Sequence, residues 1–153
     1  MSKEPKLIHK LLISFKLSPE KPISGNVFAV TLILKNIGDS AFSGGQFTQF
    51  FVRFPSNTYN LDVDRLAKIP AIGVGESKES PPCEFLAMED GAGWMGVSIK
   101  SADEAEVHLY QTPSYDMGIS WGNAILIAKR EYVEIINLLR EIVALLKKRG
   151  EKQ

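Results

Sequence analysis

Up to residue 111, much of the chain alternates between apolar and polar residues with the period of two that is typical of β-strands. Residues 13–17 alternate in this way. Residues 27–35 are rich in β-branched side chains and apolar on both faces, as a central strand would be. Turn-forming residues follow both runs, at 18–26 and at 36–40. The pattern therefore predicts two strands between residues 13 and 35.

A third strand is predicted over residues 46–54, with Phe47 on the face opposite to Phe50. Three further segments are short: residues 60–68, which fit either a short strand or a helical turn, residues 69–74, a weak strand, and residues 83–88. Each is bounded by Pro, Gly or Asn, which interrupt regular structure.

A β-hairpin is predicted from residues 95–99 and 105–109, which alternate on either side of a turn at 101–103. The glycine-rich run at residues 91–96 is expected to be a loop, with Trp94 starting the strand. A phosphate-binding loop is excluded, because a strand follows the run and the Lys-Ser or Lys-Thr pair of that motif is missing from it.

Six or seven short strands separated by turns predict a fold of the mainly β class. We expect an immunoglobulin-like antiparallel β-sandwich of about seven strands, followed by one long C-terminal α-helix. The predicted division is a sandwich domain at residues 1–115 and an amphipathic, coiled-coil-like helical segment at residues 116–153.

The helix is predicted over residues 124–149, which contain no Gly or Pro. Asn123 precedes this segment as an N-cap, and Gly150 follows it where a left-handed C-cap is expected. The cations at residues 147–149 complement the helix dipole in the last turn. These signals agree on a single continuous helix.

Apolar residues occupy every a and d position of three heptads in this predicted helix, which is the pattern of a coiled coil. The a and d residues are Ile125, Ala128, Tyr132, Ile135, Leu139, Ile142 and Leu146. The flanking e and g positions, which usually carry charges, hold Ile136, Val143, Leu138 and Leu145. A helix that is apolar over more than half of its surface must bury two sides, either in a bundle of three or more helices or with one side on its own sandwich and the other on a partner.

Self-association would cover this surface; the alternatives are packing on the chain's own sandwich as an ordinary core helix and docking on another protein. We expect self-association, because burial of the apolar residues would stabilise the protein by roughly 10 kcal/mol of transfer free energy, and this stabilisation is lost if they stay exposed. A membrane-surface helix is disfavoured because Glu131, Glu134 and Glu141 lie on the polar face. The predicted interface residues are Ile125, Tyr132, Ile135, Ile136, Leu138, Leu139, Ile142, Val143, Leu145 and Leu146.

Four segments resemble the signature of bacterial and archaeal CARDB-like and related immunoglobulin-like sandwich domains. They are residues 24–27 (SGNV), 30–32 (VTL), 35–41 (KNIGDSA) and 72–77 (IGVGES). The resemblance covers about residues 7–111. It implies a sandwich of the kind that serves as a spacer, an adhesion module or a binding module. Fold resemblance does not by itself fix function.

The composition narrows the classes of partner. The 18 basic and 18 acidic residues give zero net charge, which argues against a nucleic-acid partner. Cys83 is the single cysteine, so no internal disulfide forms, and His9 and His108 are too few for a metal centre. No signal peptide is recognised, and no segment has the ~20 apolar residues that span a bilayer. We expect a cytoplasmic protein without a metal or cofactor.

Few residues carry candidate chemistry. Asp62 and Asp64 would point the same way in an extended segment, as in a calcium site, whereas solvated turn residues are the ordinary explanation. Cys83 would act as a nucleophile only if the fold brought His9 or His108 to it. Exposed aromatic residues would supply a ligand surface; the candidates are Trp94, Tyr110 and Tyr115.

The sequence thus favours a non-enzymatic structural or adaptor module that self-associates through its helix and presents a β-sandwich for protein–protein interaction. The alternative is a module that binds a small ligand or carbohydrate through aromatics near Trp94. An enzyme would require the histidines or an acidic pair to converge in a pocket.

Overall fold

A computed structural model describes residues 7–113 and 115–151 of the chain. Within them, ten strands precede one C-terminal helix. The strands are β1 (Ile8–Ser18), β2 (Val27–Asn36), β3 (Gly45–Arg53), β4 (Thr58–Asn60), β5 (Ser77–Glu79), β6 (Cys83–Leu86), β7 (Gly91–Ser101), β8 (Glu106–Gln111), β9 (Tyr115–Asp116) and β10 (Ser120–Ile127). A 3-10 turn at Val63–Arg65 lies between β4 and β5, and helix α1 covers Arg130–Glu151.

The strands form two sheets. One has the order β5–β2–β1–β8–β9, with β6 also paired to β2, and the other has the order β10–β7–β3–β4. Neighbouring strands run antiparallel, except that β1 and β8 are parallel. The mainly β, immunoglobulin-like sandwich followed by a C-terminal helix is therefore confirmed.

The core lies between the two sheets and follows from the alternation of each strand. In β2, Phe28, Val30 and Leu32 are buried, while the residues between them are half-exposed. Met95 of β7 and Trp121 of β10 face them from the other sheet and are also buried. Each such side chain contributes about 1.5–3 kcal/mol by leaving water.

Strand β3 departs from simple alternation. The register with β7 shifts between Phe47 and Gln49, which leaves Thr48 as an extra residue. Because such a bulge turns the following side chains over, Phe47 lies on the same inner face as Phe50, and their ring centres are 5.6 Å apart. The prediction that these two phenylalanines face opposite ways was wrong.

The segment from residue 58 to residue 74 contains little regular structure. Strand β4 ends at Asn60 and the 3-10 turn covers Val63–Arg65, so the helical-turn alternative for residues 60–68 is confirmed and the short-strand alternative is wrong. The weak strand predicted at 69–74 is wrong, since Ile69 and Ile72 make only isolated bridges, to Gly45 and Phe42.

The predicted hairpin is wrong, although both of its strands exist. Strand β7 pairs with β3 and β10, whereas β8 pairs with β1 and β9 in the other sheet. A hairpin would require β8 to occupy one side of β7, and both sides are already taken. The connection between β7 and β8 therefore crosses from one sheet to the other.

The glycine-rich run is strand rather than loop, because β7 begins at Gly91. Its glycines make room for aromatic rings on the outer face of the sheet. A Cβ atom at Gly96 would overlap the ring of Phe51, and one at Gly122 in β10 would overlap the ring of Trp94. Glycine within a strand commonly marks such close approach.

The predicted start and end of the helix are also wrong. Residues 120–127 alternate and pair with β7, so that Ile125 is a core residue that is 4% exposed. Asn123 is a strand residue whose side-chain oxygen accepts from Gln111 at 2.6 Å, not a helix cap. Gly150 lies inside α1 without a left-handed φ. The sandwich therefore ends at Ile127, later than the predicted boundary near residue 115.

Candidate interaction surface

Helix α1 leaves the sandwich through a short junction that the fold holds in place. The Ala128 amide donates to Pro22 O, and Ala128 O accepts from the Ser24 amide. The Arg130 guanidinium donates to Ser24 O at 3.3 Å and to the side-chain oxygen of Asn26. The Arg130 amide also points to Ser24 Oγ at 3.4 Å, where an N-cap side chain would normally accept. These contacts fix the direction in which the helix starts.

Beyond its first turn, the helix is uncovered. Every side chain from residue 134 to residue 150 is exposed. Nine of the ten predicted interface residues lie on α1 and are 44–65% exposed: Tyr132, Ile135, Ile136, Leu138, Leu139, Ile142, Val143, Leu145 and Leu146. The tenth, Ile125, is in the core and unavailable to a partner. The apolar surface thus does not pack on the chain's own sandwich.

A shallow depression of about 500 Å³ lies at the base of the helix. It is lined by Ser24, Gly25, Pro55, Met88, Glu89, Asp90, Arg130 and Glu131. The Glu89 carboxylate accepts hydrogen bonds from the side chain and amide of Ser56 and from the side chain of Asn57. These bonds lower the pKa of Glu89, and those from Ser56 have the largest effect. The depression therefore presents three acids, while its single arginine is engaged with Ser24 and Asn26.

The candidate ligand aromatics do not meet. Trp94 lies on the outer face of the four-stranded sheet, packed over Gly122 and 42% exposed. Tyr110 and Tyr115 belong to β8 and β9 of the other sheet, where Tyr110 Oη donates to Asp116 Oδ2 at 3.3 Å. The fold places Trp94 and the two tyrosines on different sheets.

His9 has a partner that the sequence did not indicate. Its ring is 2% exposed, packs edge-on to Phe42, and has Nε2 2.8 Å from Asp103 Oδ2. The Ser101 hydroxyl and the Ala105 amide both donate to Asp103 Oδ1, at 2.6 and 3.0 Å. These hydrogen bonds hold the pKa of Asp103 well below its usual range, with the largest effect from Ser101, followed by His9 and Ala105. This cluster fastens the β7–β8 connection to β1.

The cluster lacks the geometry of a hydrolytic triad. In a triad, the histidine lies between the serine and the acid and activates the hydroxyl. Here Asp103 lies between Ser101 and His9, and Ser101 is buried. Asp62 accepts from the Asp64 amide as the cap of the 3-10 turn. Among the described residues, no group of three His, Cys, Asp or Glu side chains is arranged to hold a metal.

A second histidine cluster lies on the outer face of the six-stranded sheet. His108 Nε2 is 3.3 Å from Glu106 Oε1, and His108 Nδ1 is 3.4 Å from Asp116 Oδ2. Burial acts to lower the pKa of His108, but the bonds to Asp116 and Glu106 outweigh it and raise the pKa. The alternation with the buried Val107 and Leu109 accounts for this outward position, whereas no local pattern in the sequence indicates the acidic partners.

Comparison with known proteins adds one structural likeness. No protein-family model matches the chain, and no curated protein matches it significantly. One similar solved structure is the CARDB domain of a Pyrococcus furiosus protein in complex with di-metal ions, which is 6% identical. The alignment covers 78% of this chain and 87% of that chain, with a TM-score of 0.43. This is the class of domain that the sequence resembles, and the likeness concerns the fold alone.

The two sheets and the uncovered helix define the class of protein: an immunoglobulin-like β-sandwich that carries an exposed C-terminal helix. In the part of the chain that the structure describes, no helix combines the length and the apolarity needed to cross a bilayer.

Proposed function

We propose that this protein is a non-catalytic structural or adaptor module that self-associates through α1 and presents its β-sandwich to other proteins. The observation that carries the proposal is the set of nine apolar side chains on α1, each 44–65% exposed. They lie at a, d, e and g positions and form one continuous surface. Contiguous apolar surface of this kind marks interaction sites on soluble proteins.

The magnitude supports association. Covering the exposed part of each side chain recovers about 1 kcal/mol or more, at ~25 cal/mol per Å² of apolar area. Nine side chains then supply roughly 10 kcal/mol per copy before the loss of translational and rotational freedom. Two copies together gain roughly 20 kcal/mol, and about 8 kcal/mol of this has to remain after the loss of freedom for an association in the micromolar range.

The junction supports the presentation of the sandwich. The Arg130 contacts to Ser24 and Asn26 and the backbone bonds of Ala128 leave no flexible linker between the helix and the strands. Self-association through α1 would therefore hold the sandwiches in defined directions around the helices.

The experiment is the solution mass of the full chain by light scattering, compared with Leu139→Asp and Asn137→Asp. Leu139 lies in the centre of the apolar surface, and Asn137 lies on the opposite side of the same helix turn. We expect wild type and Asn137→Asp to have a mass of at least two copies and Leu139→Asp to have the 17.0 kDa mass of one chain. A wild-type chain that stays at the mass of one copy at about 100 μM would overturn the proposal.

A further inference from the structure

The charges of α1 are separated along its length. Glu131 and Glu134 occupy the first turns beside Arg130, whose guanidinium is engaged with Ser24 and Asn26, whereas Lys147, Lys148 and Arg149 occupy the last turns before Glu151. This order suits the helix dipole of a single chain. It also distinguishes the two ways in which two copies of the helix can lie side by side.

A parallel pair would bring like charges together. Each residue of a parallel pair lies level with its own counterpart, so the basic residues 147–149 of both copies would share one end of the pair. Arg149 continues the heptad at a d position, so that two guanidinium groups would meet in the apolar seam. Like charges at such short range are destabilising, and more so where water is excluded.

An antiparallel pair removes both conflicts. With the two helices fully overlapped, a positions of one copy meet d positions of the other: Leu139 meets Ile142, Ile135 meets Leu146, and Tyr132 meets Arg149. An arginine over a tyrosine ring is a favourable cation–π arrangement. In this register the basic residues 147–149 of one copy lie level with residues 132–134 of the other, less than one helical turn from Glu131.

We propose that α1 packs antiparallel against α1 of a second copy, so that the basic end of each helix lies at the acidic base of the other. This orientation rests on the proposed self-association. The 22 residues of α1 extend about 33 Å, so a fully overlapped second helix ends beside the first turn. There the depression that contains Glu89, Asp90 and Glu131 adds acidic side chains of the sandwich to those of the helix.

Disulfide formation tests the orientation. In a Cys83→Ala background, which removes the native thiol, Ile135→Cys and Leu146→Cys, which face each other only in the antiparallel pair, are prepared singly and by co-expression of the two chains. The antiparallel arrangement predicts at least tenfold more disulfide-linked dimer from the co-expressed pair than from either variant alone. Asn137→Cys, on the polar side of the helix, is the control and should give little dimer.

The outcomes separate the two proposals. Dimers that form equally well from each single variant would show parallel helices and overturn the orientation, while self-association would stand. A chain with the mass of one copy in light scattering would overturn self-association and the orientation with it.

Charge reversal gives an independent readout in the full chain. The triple variant Lys147→Glu, Lys148→Glu, Arg149→Glu should weaken association by tenfold or more at roughly 10 mM salt. Adding Glu131→Lys and Glu134→Lys should restore it, because each basic end again meets an acidic one. In a parallel pair the triple variant would still place like charges together. An unchanged association constant would therefore overturn the antiparallel arrangement.

Discussion

Removal of the Asp103 carboxylate should unfasten the connection that carries the chain from one sheet to the other. In Asp103→Ala, the buried His9 ring loses the partner of Nε2, and its Nδ1 has none among the described residues. The Ser101 hydroxyl keeps the carbonyl of Ala105 as an acceptor. A buried polar group left unpaired costs about 1–3 kcal/mol. Because the substitution also removes the bond to the Ala105 amide, we expect the free energy of unfolding to fall by about 3 kcal/mol.

Urea unfolding at neutral pH, followed by the fluorescence of buried Trp121, measures this loss. Asp39→Ala is the matched control, since Asp39 is an exposed acid without a side-chain hydrogen bond among the described residues. If the two variants lose the same free energy within about 0.5 kcal/mol, the inference that Asp103 fastens the connection is refuted.

The same variant predicts a pH dependence with a definite sign. The pKa of Asp103 in the folded chain is below its ordinary value of 3.8. The bonds of the carboxylate therefore stabilise the fold fully above that value, and their contribution is lost as the pH falls towards the folded pKa. The difference in unfolding free energy between wild type and Asp103→Ala should be largest at neutral pH and shrink below pH 3.8.

Three further predictions concern single residues. Gly45→Ala should lower the free energy of unfolding by about 2 kcal/mol or more in a thermal melt, because its Cβ would overlap the backbone oxygen of Lys100; a melt that matches wild type would contradict this. Gly150→Ala should raise the helix content measured by circular dichroism, because alanine favours the helix over glycine by up to ~1 kcal/mol and open space surrounds that position. His108 should titrate above its ordinary pKa of 6.5 by NMR, and its acid contacts should stabilise the fold below that pH and be lost as the pH rises past the folded pKa.

The alternation of apolar residues was enough to predict β7 and β8 as strands but not their partners. Residues 95–99 and 105–109 were correctly predicted as strands. A sequence pattern shows that each strand has one buried face, yet two strands that face each other across the core alternate in the same way as two strands of one sheet. Pairing depends on which neighbours β7 already has, and that is a property of the whole fold.

The predicted interaction surface illustrates a different limit. The predicted interface residues from Tyr132 to Leu146 lie on the helix and are exposed, while their role in an interface stays a prediction. Ile125 also fits the heptad, but it fits the strand period of Trp121 and Ile127 equally well, and pairing with β7 decides between them. The engagement of Arg130 with Ser24 and Asn26 joins residues more than a hundred positions apart, and no local pattern indicates it.

The parallel pairing of β1 with β8 bears on how the chain reaches its fold. Ile8–Ile13 lie beside Glu106–Gln111, with nearly the whole sandwich sequence between them. On the ribosome, β1 can pair with β2 early, but the backbone groups on its other edge have no partner strand until β8 has been synthesised. Contacts of such long sequence separation slow folding, and an open strand edge invites wrong partners in the meantime. The nascent chain should therefore depend on protection of the β1 edge until its last third has emerged.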